Sequence, residues 1–274
     1  MTSTAVKSRR TRVGPAHALK DVWIITKRNL RRFIRMPQLL LFATVQPVMF
    51  LLLFTYVFGG AIAVPGDVSY IDFLIPGILV QTVMFGSTNT ATGLTEDLAA
   101  GVIDRFRSLP MARGAVLGGR TFADLVRSAA VNTLMIFVGF LIGFRPDGIP
   151  QLLAGLILAL MFGYSMSWVF AAVGLVARTP EAAQSASFLV VFPFVFASSV
   201  FVPVQSMPSW LQVFAENQPV SVIATTVRGL TFGIEALPSG KTIEGMVALS
   251  LVWIILIFAV ASPLSVQLYR RIFS

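Results

Sequence analysis

The chain contains no cysteine and one histidine among its 274 residues. Disulfides and cysteine-ligated metals are therefore excluded, and a histidine-based catalytic set has only His17 to draw on. His17 lies in a basic N-terminal segment and reads as solvated. Charge is scarce too: 12% of residues are Asp, Glu, Lys or Arg, against 56% hydrophobic. A soluble domain needs far more polar surface, so this composition excludes one. The 12 acids are scattered, and only Asp124 falls at membrane depth, with Asp72 and Glu181 near span ends. A proton-coupled carrier needs buried ionisable groups, and no paired broken helices mark an inverted repeat; both points argue against one.

What the chain has in their place is long apolar runs. Six stand out, at Leu39–Phe58, Phe73–Thr92, Ala115–Phe144, Leu152–Ala177, Ala182–Val204 and Met246–Leu268. Each has roughly the ~20 residues that a helix needs to cross a bilayer. The first begins behind a long charged stretch, so no cleavable leader is expected. All but Arg145, Arg228 and Lys241 of the 21 Lys and Arg residues fall on one side of these spans. The positive-inside rule then predicts a multi-pass cell-membrane protein with both termini cytoplasmic. The net charge of +9 sits beside the spans, where anionic lipid rather than nucleic acid is its natural partner.

Before the first span, Leu19, Val22, Trp23, Leu30, Phe33 and Ile34 recur at helical spacing, with Lys and Arg on the other faces. This predicts an amphipathic helix on the cytoplasmic surface, either a plain anchor or also a partner contact. After the Phe-rich fifth run, Met207, Trp210, Leu211 and Phe214 sit at i, i+3, i+4 and i+7. Ser206 is the expected cap of that short helix, Pro208 suits its first turn, and Asn217 ends it. A second stripe follows at Val220, Ile223, Val227 and Leu230. Two such helices after a span should lie at the membrane surface or dip into it, on the outer side.

Between the second and third spans, Thr95 is placed to cap a helix with Glu96 and Asp97 in its first turn. Leu98, Val102, Phe106 and Leu109 would line one side of it. Arg120, Asp124 and Arg127 then share one helix face, which reads as a salt-bridged ladder or as part of a gate. Gly155, Ala159, Gly163, Ser167 and Ala171 make a small-residue stripe in the fourth span, and Gly139 and Gly143 do the same in the third; both suit close helix packing. Gln81, Asn89 and Asn132 are the polar positions within spans, and they either line a pathway or bond between helices. Phe192 and its neighbours offer an aromatic wall or face lipid. Ser239-Gly240-Lys241-Thr242 imitates the end of a phosphate-binding loop, but position 235 is Glu where that loop needs glycine, and the match is a coincidence.

The run from Pro203 through Met207-Pro208-Ser209-Trp210-Leu211 and Asn217-Gln218-Pro219 to Arg228 closely resembles the signature of the ABC-2 permeases. The connector Gly101-Val102-Ile103-Asp104-Arg105-Phe106-Arg107-Ser108-Leu109-Pro110-Met111 looks closest to their daunorubicin/doxorubicin-resistance branch. Two positions depart from the family's usual pattern: Val200, where glycine is frequent, and Gln218, set between Asn217 and Pro219. The resemblance implies an all-α integral membrane fold: six transmembrane helices, an N-terminal interfacial helix and an external re-entrant-like hairpin before the sixth span. Residues 1–37 would be the basic tail and interfacial helix, and 38–274 the six-helix domain. It further implies a non-catalytic permease subunit exporting a hydrophobic or amphiphilic substrate, drug-like or lipid. Two ATPase subunits carrying ATP and Mg, and a second permease copy or paralogue, would complete the exporter. This chain itself would bind no cofactor or metal. Asp104, Arg105, Phe106, Arg107, Leu109 and Pro110 would couple it to the ATPase, and Met207, Trp210, Leu211 and Phe214 would form an external gate. The alternatives are a polysaccharide or glycolipid exporter permease, a proton-coupled carrier, or a non-transporting membrane anchor.

Overall fold

A computed structural model describes residues 15–35, 37–62, 64, 69–102 and 114–272. Among the described residues every regular element is helical, and this is an all-α membrane protein. The principal helices are α1 (Pro15–Arg35), α2 (Pro37–Leu53), α3 (Tyr70–Ala99), α4 (Ala115–Leu141) and α5 (Ile149–Val176). They are followed by α6 (Pro180–Phe196), α7 (Ser209–Asn217), α8 (Pro219–Phe232) and α9 (Ile243–Ile272). A π-helical turn, Phe54–Phe58, extends α2. Among the described residues five helices are long and apolar enough to cross a membrane, and α6 is a shorter apolar helix of 17 residues. At 1.5 Å per residue α6 reaches roughly 25 Å, less than the ~30 Å hydrocarbon core. The fifth apolar run, expected as helix through Val204, thus stops early.

Burial orders the bundle. In their most apolar stretches 78% of α3 and 61% of α5 are buried, against 11% of α2 and 17% of α9. So α3 and α5 form the centre, while α2 and α9 show most of their surface outward. The central pair packs at glycines: a side chain on Gly163 would press on Val83, and one on Gly174 would press on the backbone of Ala91. Ser87 Oγ donates to the Gly163 carbonyl at 2.9 Å, and Thr95 Oγ1 donates to that of Gly174 at 3.1 Å. Small residues let the two backbones approach, and hydroxyls then bond across the seam. Gly155 opens the same stripe toward Val227 of α8, and all five stripe residues are buried. The expected packing role of that stripe holds. Gly139 behaves likewise against Ile75, whereas Gly143 lies beyond the end of α4 with φ +110°, in a turn rather than a helix contact.

Two other local expectations fail. Thr95 does not start a helix: α3 runs on to Ala99, and Gly101 follows it in the left-handed region, φ +66°. Glu96 and Asp97 therefore occupy the last turn of α3, where the helix dipole disfavours them and basic partners must compensate. The residues that follow, from Ile103 to Arg113, with the expected coupling residues Asp104, Arg105, Phe106, Arg107, Leu109 and Pro110, lie outside the described ones. Nor does Ser206 cap α7. It closes a 3-10 turn, Val204–Ser206, and its hydroxyl donates to the Pro203 carbonyl; Pro208 precedes the helix instead. Asn217 does end it.

Helix α1 docks on the first half of α4. A side chain on Gly119 would meet Ile25 and the Val22 carbonyl, and Thr26 Oγ1 donates to the Gly119 carbonyl at 3.2 Å. Its buried face is thus Ile25, Thr26 and Asn29, while Leu19, Trp23 and Ile24 stay exposed. The mimic of a phosphate loop is an ordinary turn. Gly240 has φ +79°, and Thr242 Oγ1 accepts from Gly245 N at the start of α9.

Candidate functional site

Polar residues gather at both ends of the apolar bundle. At the α1 end, Arg120 and Arg127 of α4 face α3 across an antiparallel pair of glycines. A side chain on Gly93 would overlap the Arg120 guanidinium, and one on Gly86 would stand 3.7 Å from Arg127 Nη2. The two glycines are seven residues apart, as are the two arginines, so one face of α3 meets both in register, and the Gly93 position is the one a guanidinium fills. Arg127 Nη2 donates to the Gly86 carbonyl at 2.7 Å, and Arg120 Nη2 donates to that of Asn89 at 3.1 Å. Asp124 lies between them, 2% exposed, with its oxygens 3.7 Å from the Nε of each arginine. Thr90 Oγ1 donates to its other lone pairs at 2.7 Å. Asp97 on α3 extends the set, 3.4 Å from Arg120 Nη1 and 2.8 Å from Arg28 Nη2 of α1. The ladder expected from sequence is therefore buried and tied to three helices. That burial gives each charge pair more weight than a surface bridge.

The two arginines border a cavity of about 370 Å³ between α1, α2, α3, α4 and α6. Arg120, Arg127, Asn29 and Asn89 line one part of it, and Phe42, Phe85, Phe188 and Pro47 line another. Where α2 and α6 border it, Phe42, Gln46 and Gln184 are exposed. From Phe85 a run of rings continues toward the hairpin end. Phe188, Phe192 and Phe196 follow one another at 5.7 and 5.4 Å, then Phe201 at 5.4 Å and Phe54 at 4.3 Å. Phe50 of α2 joins it, 6.1 Å from Phe196 and 5.6 Å from Phe201.

The second polar centre sits where α6 breaks. Carbonyls and amides freed by a broken helix inside an apolar bundle must find partners in the protein. Arg228 supplies most of them: Nη2 donates to the carbonyls of Ser199 at 2.5 Å and Val200 at 3.1 Å, Nη1 to Ser199 Oγ, and Nε to the Phe73 carbonyl at 2.7 Å. Its guanidinium also lies 3.7 Å from the Phe73 ring centre. The amides are covered by hydroxyls, Ser221 Oγ accepting from Ser199 N and Ser198 Oγ from Val200 N. Gln218, the residue inserted between Asn217 and Pro219, holds both sides: Nε2 donates to the Phe194 carbonyl, and Oε1 accepts from Val220 N. Arg228 counts in the sequence as an outer-loop charge; it is instead 3% exposed. The signal was its place at the end of the Asn-x-Pro…Arg run.

Other expected residues divide. Asn89 borders the cavity, but Gln81 and Asn132 do not; they are buried elsewhere, and Asn132 Nδ2 bonds within its own helix to Ser128. Phe192 is 47% exposed, so it shows a free edge as well as joining the ring ladder. Of the predicted gate, Trp210 is 75% exposed, Phe214 is partly exposed against Phe194, and Met207 and Leu211 are half-buried. The second stripe goes deeper than an interfacial helix: Val220, Ile223 and Val227 are fully buried, and α8 packs among α3, α5 and α9.

The profile of the ABC-2 type transporter family matches residues 20–232. The chain belongs to the ABC-2 type transporter family. It is 36% identical over 245 residues to the daunorubicin resistance ABC transporter permease protein DrrB1 of Streptomyces coeruleorubidus, covering 89% of this chain and 84% of that one. The probable doxorubicin resistance ABC transporter permease protein DrrC of Mycobacterium tuberculosis is 28% identical over 248 residues, with coverage of 90% and 87%. The putative transport permease ycf38 of Cyanophora paradoxa is 25% identical over 218 residues, covering 77% and 74%. This ABC-2 protein is therefore a multi-pass membrane permease.

The Arg228 geometry yields a test. Arg228→Lys keeps the charge but cannot span three backbone carbonyls with a planar fork. The variant should lose about 2–4 kcal/mol of stability in detergent, since charge-assisted bonds are each worth ~1.5–3 kcal/mol. Limited proteolysis should then cut first between Ala197 and Met207. Unchanged melting and unchanged cleavage would show that Arg228 does not hold the break.

Proposed function

We propose that this permease is the membrane half of an ATP-driven exporter that carries a hydrophobic or amphiphilic molecule out of the inner leaflet. The observation that carries this reading is the cavity that opens between α2 and α6, polar against α4 and aromatic against α6. Such a site accepts a molecule with a polar head and an apolar body, and the ring ladder gives that body a continuous apolar surface toward the hairpin. The names of the relatives, which refer to daunorubicin and doxorubicin resistance, accord with export of such compounds.

The α1 end is the cytoplasmic end on this reading, because the excess of Lys and Arg lies there. Trp210 then stands at the outer headgroup level, and Met207, Leu211 and Phe214 cover the exit. ATP and Mg belong to a separate ATPase, present in two copies beside a second permease copy or paralogue. The connector at residues 101–110 meets that ATPase, with Phe106 as its apolar anchor and Arg105 and Arg107 forming ion pairs.

Reconstitution with the ATPase tests this reading. Phe106→Ala should leave the protein inserted while co-purification of the ATPase falls several-fold, and Arg105→Glu should lower substrate-stimulated turnover. Gln212→Cys, in an otherwise cysteine-free chain, should react with an impermeant reagent from outside. Normal assembly and turnover in both connector variants, or labelling only after permeabilisation, contradicts it.

A further inference from the structure

The cavity at the α1 end has a chemical polarity that goes beyond its being amphiphilic. Behind it Asp97 and Asp124 pair with Arg28, Arg120 and Arg127, and the two signs are not equally presented. Arg120 and Arg127 line the cavity, whereas Asp124 and Asp97, which neutralise them, do not. Among the described residues Glu96 is the one acid on the lining, and it has an interaction of its own.

The donors are also underused. Among the described residues, Arg127 spends one hydrogen bond, Nη2 to the Gly86 carbonyl, out of the five N–H groups a guanidinium carries. Its Nε is buried, 3.7 Å from Asp124 Oδ1, and makes no hydrogen bond. The Arg127 guanidinium lies 5.4 Å from the centre of the Phe33 ring. Across the cavity on α1, Asn29 is 7% exposed; its Oδ1 accepts from Arg28, and its Nδ2 is buried with no partner. Both residues line the cavity, and a ligand that brings acceptors there meets guanidinium donors of Arg127 that no described residue uses.

Building on the exporter reading, we infer that this cavity takes the anionic head, a phosphate or carboxylate, of an amphiphile whose apolar body lies along Phe42, Phe85 and Phe188. Arg127 and Asn29 bind the head, and Arg120 contributes charge from its seat against Gly93. An ammonium head meets two guanidinium groups of its own sign, with Glu96 as the carboxylate on the described lining, and binds more weakly. The cavity volume of about 370 Å³ lies within the range of small-ligand sites.

The purified chain in neutral maltoside detergent tests this with three probes that share one fluorescent dodecyl tail and end in carboxylate, hydroxyl or trimethylammonium. The carboxylate probe should bind saturably and about tenfold more tightly than the other two, a factor that corresponds to one guanidinium contact. Arg127→Gln should erase that preference, and Asn29→Leu, which leaves the α3–α4 seam intact, should reduce it several-fold. Inorganic phosphate at millimolar concentration should not displace the probe; full displacement would make this a free-anion site and overturn the amphiphile assignment. Equal binding of the three heads, or a preference that survives in both variants, overturns the anionic assignment. If all three heads bind equally and Phe188→Ala weakens them alike, the amphiphile cavity stands without its charge selectivity. Saturable binding of none of them removes both.

Discussion

The fold depends on how two arginines are admitted into an apolar bundle. A charge at membrane depth is expensive unless it is paired and its donors are met. Arg120 and Arg127 are both paired with one carboxylate, Asp124, and each donates to an α3 carbonyl, Arg120 from a seat that Gly93 leaves open. The same contact fixes the α3–α4 register, and α3 in turn carries the glycine-zipped α5. Asp97 passes the constraint on to α1 through Arg28. Displacing Asp124 would therefore disturb the surface helix, the central pair and the cavity wall together.

The other end of the bundle answers a similar demand with a different device. There the difficulty is neutral backbone, freed where α6 breaks after Phe196, and a single cation meets two carbonyls while two serines and Gln218 serve the rest. Arg228 thus lets irregular backbone exist inside the bundle, which allows α8 to enter among α3, α5 and α9. A short α6, a broken connection and a buried α8 are one arrangement rather than three features. The ring ladder from Phe85 to Phe54 runs between these two polar centres and gives the bundle an apolar track with a charged head at one end.

Much of this could be read from the chain. Composition and run length were enough for an all-α membrane protein, and the small-residue stripe from Gly155 to Ala171 announced its packing because glycine spacing is itself the geometry. Arg120, Asp124 and Arg127 were visible as one helix face, but their seats were not. Gly93 lies on another helix, well before Arg120 in the chain, and nothing local marks a glycine as the receptor of a guanidinium. Thr95 misled for a related reason: a threonine followed by two acids is a good cap, yet its hydroxyl was worth more across the seam to Gly174. Arg228 misled because charge counting treats every cation as solvated. Ser206 was one turn too early, since Pro203 and Pro208 bracket a tighter 3-10 turn first.

The most direct test of this account is a double-mutant cycle on the seat itself, read by thermal unfolding in detergent. Gly93→Ala in the native background should destabilise by about 1–3 kcal/mol, because the added carbon overlaps the Arg120 guanidinium. In an Arg120→Ala background the same change should become neutral or stabilising, since alanine is favoured over glycine by ~1 kcal/mol within a helix. An equal cost of Gly93→Ala in both backgrounds would contradict the claim that Gly93 is there to seat Arg120.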